Sequence, residues 1–161
     1  MVKFRVRGVD RNIRDMALLG TSTRRAARRG VIEAAQHLLE VVQSKIGVYQ
    51  QTGGEMGGRG RWKRLPMDTR LRKKKKYNVG DKPLYNTGNL EDSFDVVEGG
   101  PGTLAASVGS DSPYILHHVY GAPRRNVPRR DPIMITAVEE TEECHRIVEQ
   151  EIENMLNGIN F

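Results

Sequence analysis

Metal binding is one chemistry that the residue types of this chain could support, because it contains four histidines and one cysteine. His117 and His118 are adjacent, as are Cys144 and His145, and adjacent side chains on a helix point about 100° apart. Neither pair can direct both side chains at one ion, and His37 has no such neighbour. Without a C-x-x-C or H-x-x-x-H spacing we expect no metal site. We interpret His118 as a structural histidine, hydrogen-bonded at the end of a short helix.

Nucleophilic catalysis is a second chemistry, and it requires a serine or cysteine that is supported by a histidine and an acid. Cys144 falls on the apolar stripe of a glutamate-rich predicted helix, an environment that raises the pKa of a thiol and makes it inert. Ser93 and Ser112 do not lie in a nucleophile-elbow motif. The spaced carboxylates near the C-terminus are typical of a solvated helix face. We therefore expect that the protein is not an enzyme.

Phosphate binding through a glycine-rich loop is a third chemistry. Residues 53–60 read GGEMGGRG, but they lack the Gly-Lys-Ser/Thr ending of a phosphate-binding loop, and no buried strand pattern precedes them. The segment predicts a flexible loop, and we expect no cofactor.

The basic segment could bind phosphate groups in another way, by following a nucleic-acid backbone. Arg70, Arg72 and the lysines at 73–76 lie close together, and Trp62 and Tyr77 are available for stacking on bases. No helix-turn-helix, zinc-finger, RNP or KH pattern accompanies them. A lysine run in a loop is more often solvated or in contact with protein. Nucleic-acid binding through residues 59–76 is therefore the alternative prediction.

The elements that position these residues begin with two long amphipathic helices. The hydroxyls of TSTRR at 21–25 are suited to cap a first helix, which should run to about Val48 with one apolar stripe at 3.6-residue spacing. A second helix is predicted over Glu139–Asn157, where glutamates in the first turn complement the helix dipole. Gly158 is a natural end for it.

Four arginines lie in the first turns of the first predicted helix, namely Arg24, Arg25, Arg28 and Arg29. Positive charge is unfavourable at this end of a helix dipole. We therefore expect carboxylates of a partner near these side chains.

Short strands and short helices complete the predicted fold. Alternation of apolar and polar residues predicts three of the strands, two of which form a hairpin around a GGPG loop. We predict one α+β domain over residues 1–161, a small antiparallel sheet of three to five strands packed by the two long helices. The predicted strands are Val2–Val6, a hairpin over 94–108 and Ile133–Ala137, and the predicted short helices are Ile13–Leu19 and 112–121.

Residues 51–83 show no sustained period, and a loop of this length without regular structure is usually functional or disordered. We predict a mobile basic arm within the domain, which Trp62 and Leu65 anchor to the core.

The stretch LYNTGNLEDSF at 84–94 follows this arm and predicts a tight turn. Gly88 should adopt a backbone conformation that is costly for other residues. Leu84, Leu90 and Phe94 can then pack against the first helix, so that the arm projects from a fixed root.

Charge divides the chain into two halves. Residues 1–80 contain 20 Lys and Arg against 6 Asp and Glu, whereas residues 81–161 contain 6 against 14, for a net charge of +6. Such asymmetry is typical of a basic arm for nucleic acid. It is equally typical of a subunit whose basic surface meets the acidic surface of an identical neighbour in a head-to-tail ring.

Composition also indicates where the chain is used. No apolar run approaches the ~20 residues of a membrane span, so we expect no membrane contact. The first fifteen residues lack the apolar centre of a signal peptide. A single cysteine excludes an internal disulfide, which favours a reducing cytoplasm or a particle assembled there.

Several short motifs follow one another along the chain. They are Trp62 with Leu65 and Thr69, then Leu84-x-x-Thr87-Gly88-x-Leu90-x-x-Ser93, then Val108-Gly109, then Tyr114-x-x-x-His118-x-x-Gly121, and finally Pro128-x-Arg130. Each motif alone is common, whereas their order and spacing together are hard to obtain by chance. Over residues 25–157 this order resembles the tail-completion and head–tail joining proteins of tailed bacteriophages, the phage virion morphogenesis or Mu-type neck group. The residues at Ile115, Arg129 and Asp131-Pro132 depart from the pattern of that family.

The resemblance implies a structural virion protein, without cofactor or reaction, that is made in the host cytoplasm. It implies a ring of six or twelve copies at the neck, which joins the connector on the portal side to the tail tube or the tail terminator. A ring at this position surrounds the DNA channel, so non-specific contact with DNA is an additional expectation. The predicted contact residues are Arg24, Arg25, Arg28, Arg29, Arg70, Arg72, Lys73, Lys74, Lys75, Lys76, Arg124, Arg125 and Arg130.

Overall fold

Two long helices and a two-stranded antiparallel sheet form the framework, which confirms the predicted α+β class. The computed structural model describes residues 20–55 and 60–158. None of its helices is long and apolar enough to cross a membrane. The elements are α1 (Thr21–Ser44), α2 (Met67–Tyr77), α3 (Asn89–Asp92), β1 (Phe94–Glu98), β2 (Ala106–Ser110), α4 (Ile115–Val119), a 3-10 turn (Pro123–Arg125), α5 (Pro132–Glu139) and α6 (Thr141–Asn157).

Helices α1 and α6 pack against each other in an antiparallel arrangement. Gly30 of α1 lies so close to α6 that a Cβ atom at this position would meet the Cα of Val148 at 2.8 Å. One turn further along, the Cys144 thiol approaches the carbonyl oxygen of Ala34 at 3.9 Å. The apolar stripes that the sequence predicts on both helices therefore face each other.

The sheet covers another side of α1. Strands β1 and β2 pair in register from Phe94 opposite Ser110 to Glu98 opposite Ala106, which confirms the predicted hairpin. Their inward side chains join the same core as the two helices. The fully buried members of that core are Ala27, Ala34, Ala35, Leu38, Val42, Ile46, Phe94, Ala106, Val108, Ile115, Val119, Ile133, Cys144, Val148 and Ile152.

The turn that precedes β1 has the predicted geometry. Gly88 adopts φ 93°, a left-handed conformation that favours glycine, and it leads into α3. Leu84 and Leu90 are partly buried against the core and Phe94 is fully buried in it. The side-chain amide of Gln43 in α1 donates to the carbonyl oxygen of Glu91 at 3.2 Å.

The predicted final strand Ile133–Ala137 is wrong, because these residues belong to α5. Asp131 caps this helix by accepting a hydrogen bond from the backbone N–H of Met134 at 3.0 Å. Pro132 occupies the first helical position, where its ring favours the helical backbone angle. These two signals outweigh the short apolar run that suggests a strand.

The prediction that residues 51–83 lack regular structure is wrong for Met67–Tyr77, which form α2. Instead of three to five strands, the described residues contain two. The predicted strand Val2–Val6 and the predicted helix Ile13–Leu19 lie outside the described residues.

Candidate interaction surface on the basic helix

Helix α2 begins and ends at residues that suit it. Asp68 lies in its first turn and Lys74, Lys75 and Lys76 in its last, so both ends complement the helix dipole. Asn78 ends the helix in a left-handed conformation, and its N–H donates to the carbonyl oxygen of Lys74 at 3.1 Å. The lysine run is therefore part of an ordered element.

Lys73 points into the protein and is only 7% exposed, which corrects its assignment as a surface contact. Its ammonium donates a hydrogen bond to the carbonyl oxygen of Lys82. Burial, together with the nearby positive charge of Arg130, lowers the pKa of Lys73. The side chain fixes α2 to the segment that follows it.

Arg130 is only 3% exposed, so it too is not available for contact with another subunit. Its guanidinium donates to the carbonyl oxygen of Lys63 at 2.6 Å. Its backbone N–H donates to the carbonyl oxygen of His118 at 2.8 Å. Burial lowers the pKa of Arg130. Arg130 thus connects the end of α4 to the chain beside Trp62, a link between two motifs that are far apart in sequence.

Tyr49 provides a second link to α2. Its hydroxyl donates to a carboxylate oxygen of Asp81 at 2.5 Å and accepts a hydrogen bond from the N–H of Leu65 at 2.9 Å. Burial, and then the bond to Asp81, raise the pKa of Tyr49. Asp81 also lies 3.6 Å from the guanidinium of Arg70 in α2. Polar contacts therefore fix the chain segments that precede and follow the helix.

His118 lies near Arg130 and Lys73, in surroundings that disfavour protonation of its ring. Burial, followed by the charges of Arg130, His117 and Lys73, lowers the pKa of His118 to about 4. The ring is neutral at pH 7. Among the described residues its buried Nδ1 has no hydrogen-bond partner, so the predicted hydrogen bond is made by the backbone oxygen of His118 and not by the ring.

The other motif residues have structural contacts. Trp62 is buried, as predicted for an anchor, and its backbone N–H donates to the carbonyl oxygen of Gln50 at 2.9 Å. The hydroxyl of Ser93 lies 2.7 Å from the Leu90 oxygen and 2.6 Å from the hydroxyl of Ser110, and so connects the turn to β2.

The remaining motif positions lie nearer the surface. Thr87 is exposed and donates to the side chain of Asn89 at 2.8 Å, and Tyr114 is 69% exposed. Gly121 adopts φ 73°, where a Cβ atom would lie 3.3 Å from the backbone nitrogen of Arg129. Pro128 is half-buried in the same loop.

The outer face of α2 carries two exposed apolar side chains one turn apart. Met67 is 60% exposed and Leu71 is 56% exposed, and Lys74 lies one further turn along the same face. Lys75 is exposed beside them. We call these four residues the outer face of α2. A mixed apolar and basic surface of this kind suits an acidic protein partner.

Three of the four arginines of α1 have partners within the chain. Arg28 lies 3.1 Å from Glu98 and Arg29 lies 3.0 Å from Glu151, so the carboxylates expected from another subunit come from this one. Arg24 donates to the carbonyl oxygen of Gly102, and Arg25 is exposed. The exposed loop arginines Arg124 and Arg125 lie in the 3-10 turn.

Helix α6 has an exposed acidic face. Glu142, Glu149 and Glu153 recur at spacings of seven and four residues, which places them on one side of the helix with the exposed Leu156. No ion pair joins these three glutamates to another described residue. We call these four residues the acidic face of α6.

Catalytic and metal sites were not expected, and the geometry around the cysteine fits its predicted inertness. Burial, followed by the charges of Glu140 and Glu143, raises the pKa of the Cys144 thiol to about 11. Within residues 20–55 and 60–158, no group of three or more His, Cys, Asp or Glu side chains is arranged to hold a metal ion.

Comparisons with protein-family models, with curated proteins and with solved structures find no match to this chain. The resemblance of its motif order to phage neck proteins therefore stays a prediction.

Proposed function

We propose that the protein is a structural subunit of a bacteriophage head–tail junction, where copies of it form a ring between the connector and the tail. The observation that carries this proposal is the presence, on separate helices of one chain, of an apolar and basic surface and an acidic surface. The order of the motifs from Trp62 to Arg130 supports the placement in a phage neck.

Two complementary faces on different elements favour head-to-tail contact. The outer face of α2 would meet the acidic face of α6 of the next copy. A surface that pairs with a different surface of an identical chain repeats around a ring when the rotation closes. In a closed ring of six or twelve copies, both surfaces of every subunit contact a neighbouring subunit.

Apolar contact supplies most of the expected affinity. Full burial of a Met or Leu side chain contributes about 1.5–3 kcal/mol, whereas an exposed ion pair contributes about 0–1 kcal/mol. Met67, Leu71 and the partner's Leu156 would therefore hold the contact. The lysines and glutamates would orient the subunits and accelerate their encounter.

A charge-reversal series tests this contact. Lys74→Glu with Lys75→Glu should weaken self-association by about tenfold or more, and Glu149→Lys with Glu153→Lys should do the same, because each places like charges opposite one another. The chain that carries all four changes should associate again. Sedimentation velocity over a concentration series measures association, and negative-stain images count the subunits in each ring.

Circular dichroism and thermal unfolding serve as controls, since all four positions are exposed and their substitution should leave the fold intact. A wild-type chain that stays monomeric at its highest soluble concentration would contradict the proposal. So would a four-residue variant that remains as weak as its two parents.

Nucleic-acid binding through residues 59–76 is the second candidate, because most of the described basic side chains there are exposed. They are Arg61, Lys63, Arg64, Arg72, Lys74, Lys75 and Lys76. The burial of Lys73 removes one member of the predicted set. Binding of this kind falls steeply with salt because it releases counterions, whereas apolar contact between subunits does not. A filter-binding titration with single- and double-stranded DNA at low salt distinguishes the two candidates.

A further inference from the structure

A cleft of about 310 Å³ lies along the flank of α2 opposite its outer face. Its helical side chains recur at intervals of three and four residues, so they share one face of the helix. Every lining side chain ends in a group that can donate a hydrogen bond, including the phenolic hydroxyl of Tyr77, and no carboxylate lines the cleft. The lining residues are Thr69, Arg72, Lys73, Lys76, Tyr77 and Asn86.

Lys73 is a buried cation without a buried counter-ion. Its ammonium has three N–H donors, and the carbonyl oxygen of Lys82 accepts one bond. No carboxylate among the described residues forms an ion pair with it, and the charge of Asp81 stabilises the ammonium only in part, from beyond ion-pair distance. The nearby Arg130 is a second buried positive charge, which bonds a carbonyl oxygen. A buried charge is costly unless an opposite charge compensates it, and an anion in the cleft would do so.

Arg72 and Lys76 stand at the exposed rim of the cleft. Both side chains are long enough to close over an anion. Thr69 and Asn86 add neutral donors from the helix and from the loop that follows Leu84. Three cations and several donors on different sides match the charge and the tetrahedral oxygens of a phosphate better than the single plane of a carboxylate.

We propose that this cleft binds a phosphate group, with Lys73 at its base, Arg72 and Lys76 at its rim, and Asn86 and Thr69 as neutral donors. The phosphate belongs either to a small molecule, such as inorganic phosphate or a nucleotide, or to the backbone of a nucleic acid. The site is on the opposite flank of α2 from the surface proposed for assembly. It therefore does not depend on ring formation.

A pair of charge-matched variants tests the site. Arg72→Gln with Lys76→Gln removes two positive charges from the rim, and Arg124→Gln with Arg125→Gln removes two exposed charges from outside the cleft. Pyrophosphate affinity, measured by calorimetry at low salt, should fall at least about tenfold in the first variant, because it loses two charge-assisted contacts. In the second variant it should stay within about twofold of wild type.

A neutral substitution separates a defined site from general positive charge. Asn86→Ala leaves the charge unchanged and should still weaken pyrophosphate binding by several-fold. Equal losses in both glutamine variants, or an Asn86→Ala protein that binds as wild type, would overturn the proposal. A wild-type protein that does not bind pyrophosphate at low salt would overturn it as well. So would acetate that binds as tightly as pyrophosphate.

The source of the phosphate is read from a competition. If a short single-stranded oligonucleotide binds more tightly than pyrophosphate and is displaced by it, the group belongs to a nucleic-acid backbone. If a nucleoside monophosphate or pyrophosphate binds more tightly than the oligonucleotide, the ligand is a small molecule. An oligonucleotide that pyrophosphate fails to displace, and whose binding Arg72→Gln with Lys76→Gln leaves unchanged, is bound elsewhere and argues against the cleft.

Discussion

His118 shares its buried surroundings with two cations, Lys73 and Arg130, and its protonation is coupled to folding. Its pKa is about 4 in the folded chain, whereas an unperturbed histidine has a pKa near 6.5. Between these values the unfolded chain binds the proton and the folded chain does not. Stability should therefore fall as the pH decreases from about 6.5 to about 4, by up to about 3 kcal/mol from this residue.

Urea unfolding at several pH values between 7 and 4 measures this loss. His118→Gln removes the titrating group and should flatten the pH dependence of the unfolding free energy in that window. The neighbouring His117→Gln variant should keep most of the slope. A His118→Gln protein with the same slope as wild type would show that other groups cause the acid sensitivity.

Residue type alone did not separate buried from exposed basic side chains. Lys73 lies in the middle of a run of four lysines, and only its place on the inward face of α2 distinguishes it from Lys74 and Lys75. Arg130 is buried beside Arg129, whose own side chain is only 11% exposed and pairs with Asp131. Tyr49 and Asp81, which hold α2, carry no sequence signal because their partners are distant in the chain.

Gly30 is the point at which the packing of α1 on α6 is closest. In an exposed helix interior, Gly→Ala stabilises by about 1 kcal/mol. Here the new methyl group would meet the backbone of Val148 at 2.8 Å, and a backbone cannot move aside as a flexible side chain can. Overpacking of this kind costs about 1–3 kcal/mol, so Gly30→Ala should give a net loss of stability.

Thermal and urea unfolding of Gly30→Ala give the sign of the change directly. Gln36→Ala, at an exposed position of the same helix, serves as a control and should be neutral or slightly stabilising. A more stable Gly30→Ala protein would mean that the two helices are not packed as closely as the structure places them.

The elements in which apolar residues recur at a regular spacing were predicted correctly, and the elements without such a spacing were not. The stripes of α1 and α6 and the alternation of β1 and β2 led to the right elements. Helix α2 was missed because its charged side chains hide the period, although Lys, Arg, Met and Leu all favour helices. In α5 a short apolar run without a period predicted a strand, and the cap at Asp131 is the signal that identifies the helix.

At the scale of the whole molecule, the charge asymmetry in the sequence led to the proposal of complementary surfaces. The sequence indicated which half is basic and which is acidic. It did not indicate that Met67 and Leu71 share an exposed face with lysines, or that Asn86 approaches α2 to form a cleft. Both depend on the position of a helix that the sequence pattern did not reveal.

Salt should distinguish assembly from nucleic-acid binding in the intact chain. Charges on the surface are screened beyond about 10 Å at 0.1 M salt and about 3 Å at 1 M. Because Met67 and Leu71 are expected to provide most of the contact energy, rings should form more slowly at 1 M salt but still form. Leu71→Ser should weaken association at every salt concentration, since it removes apolar area rather than charge.

Sedimentation velocity in 0.1 M and 1 M salt, with light scattering to follow the rate of assembly, tests this expectation. A variant with glutamine at positions 74 and 75 provides the opposite case, because it should assemble slowly at low salt and respond little to added salt. If wild-type assembly disappeared at 1 M salt while Leu71→Ser assembled as wild type at 0.1 M, contact would depend on charge alone. The outer face of α2 would then suit a polyanion better than a neighbouring subunit.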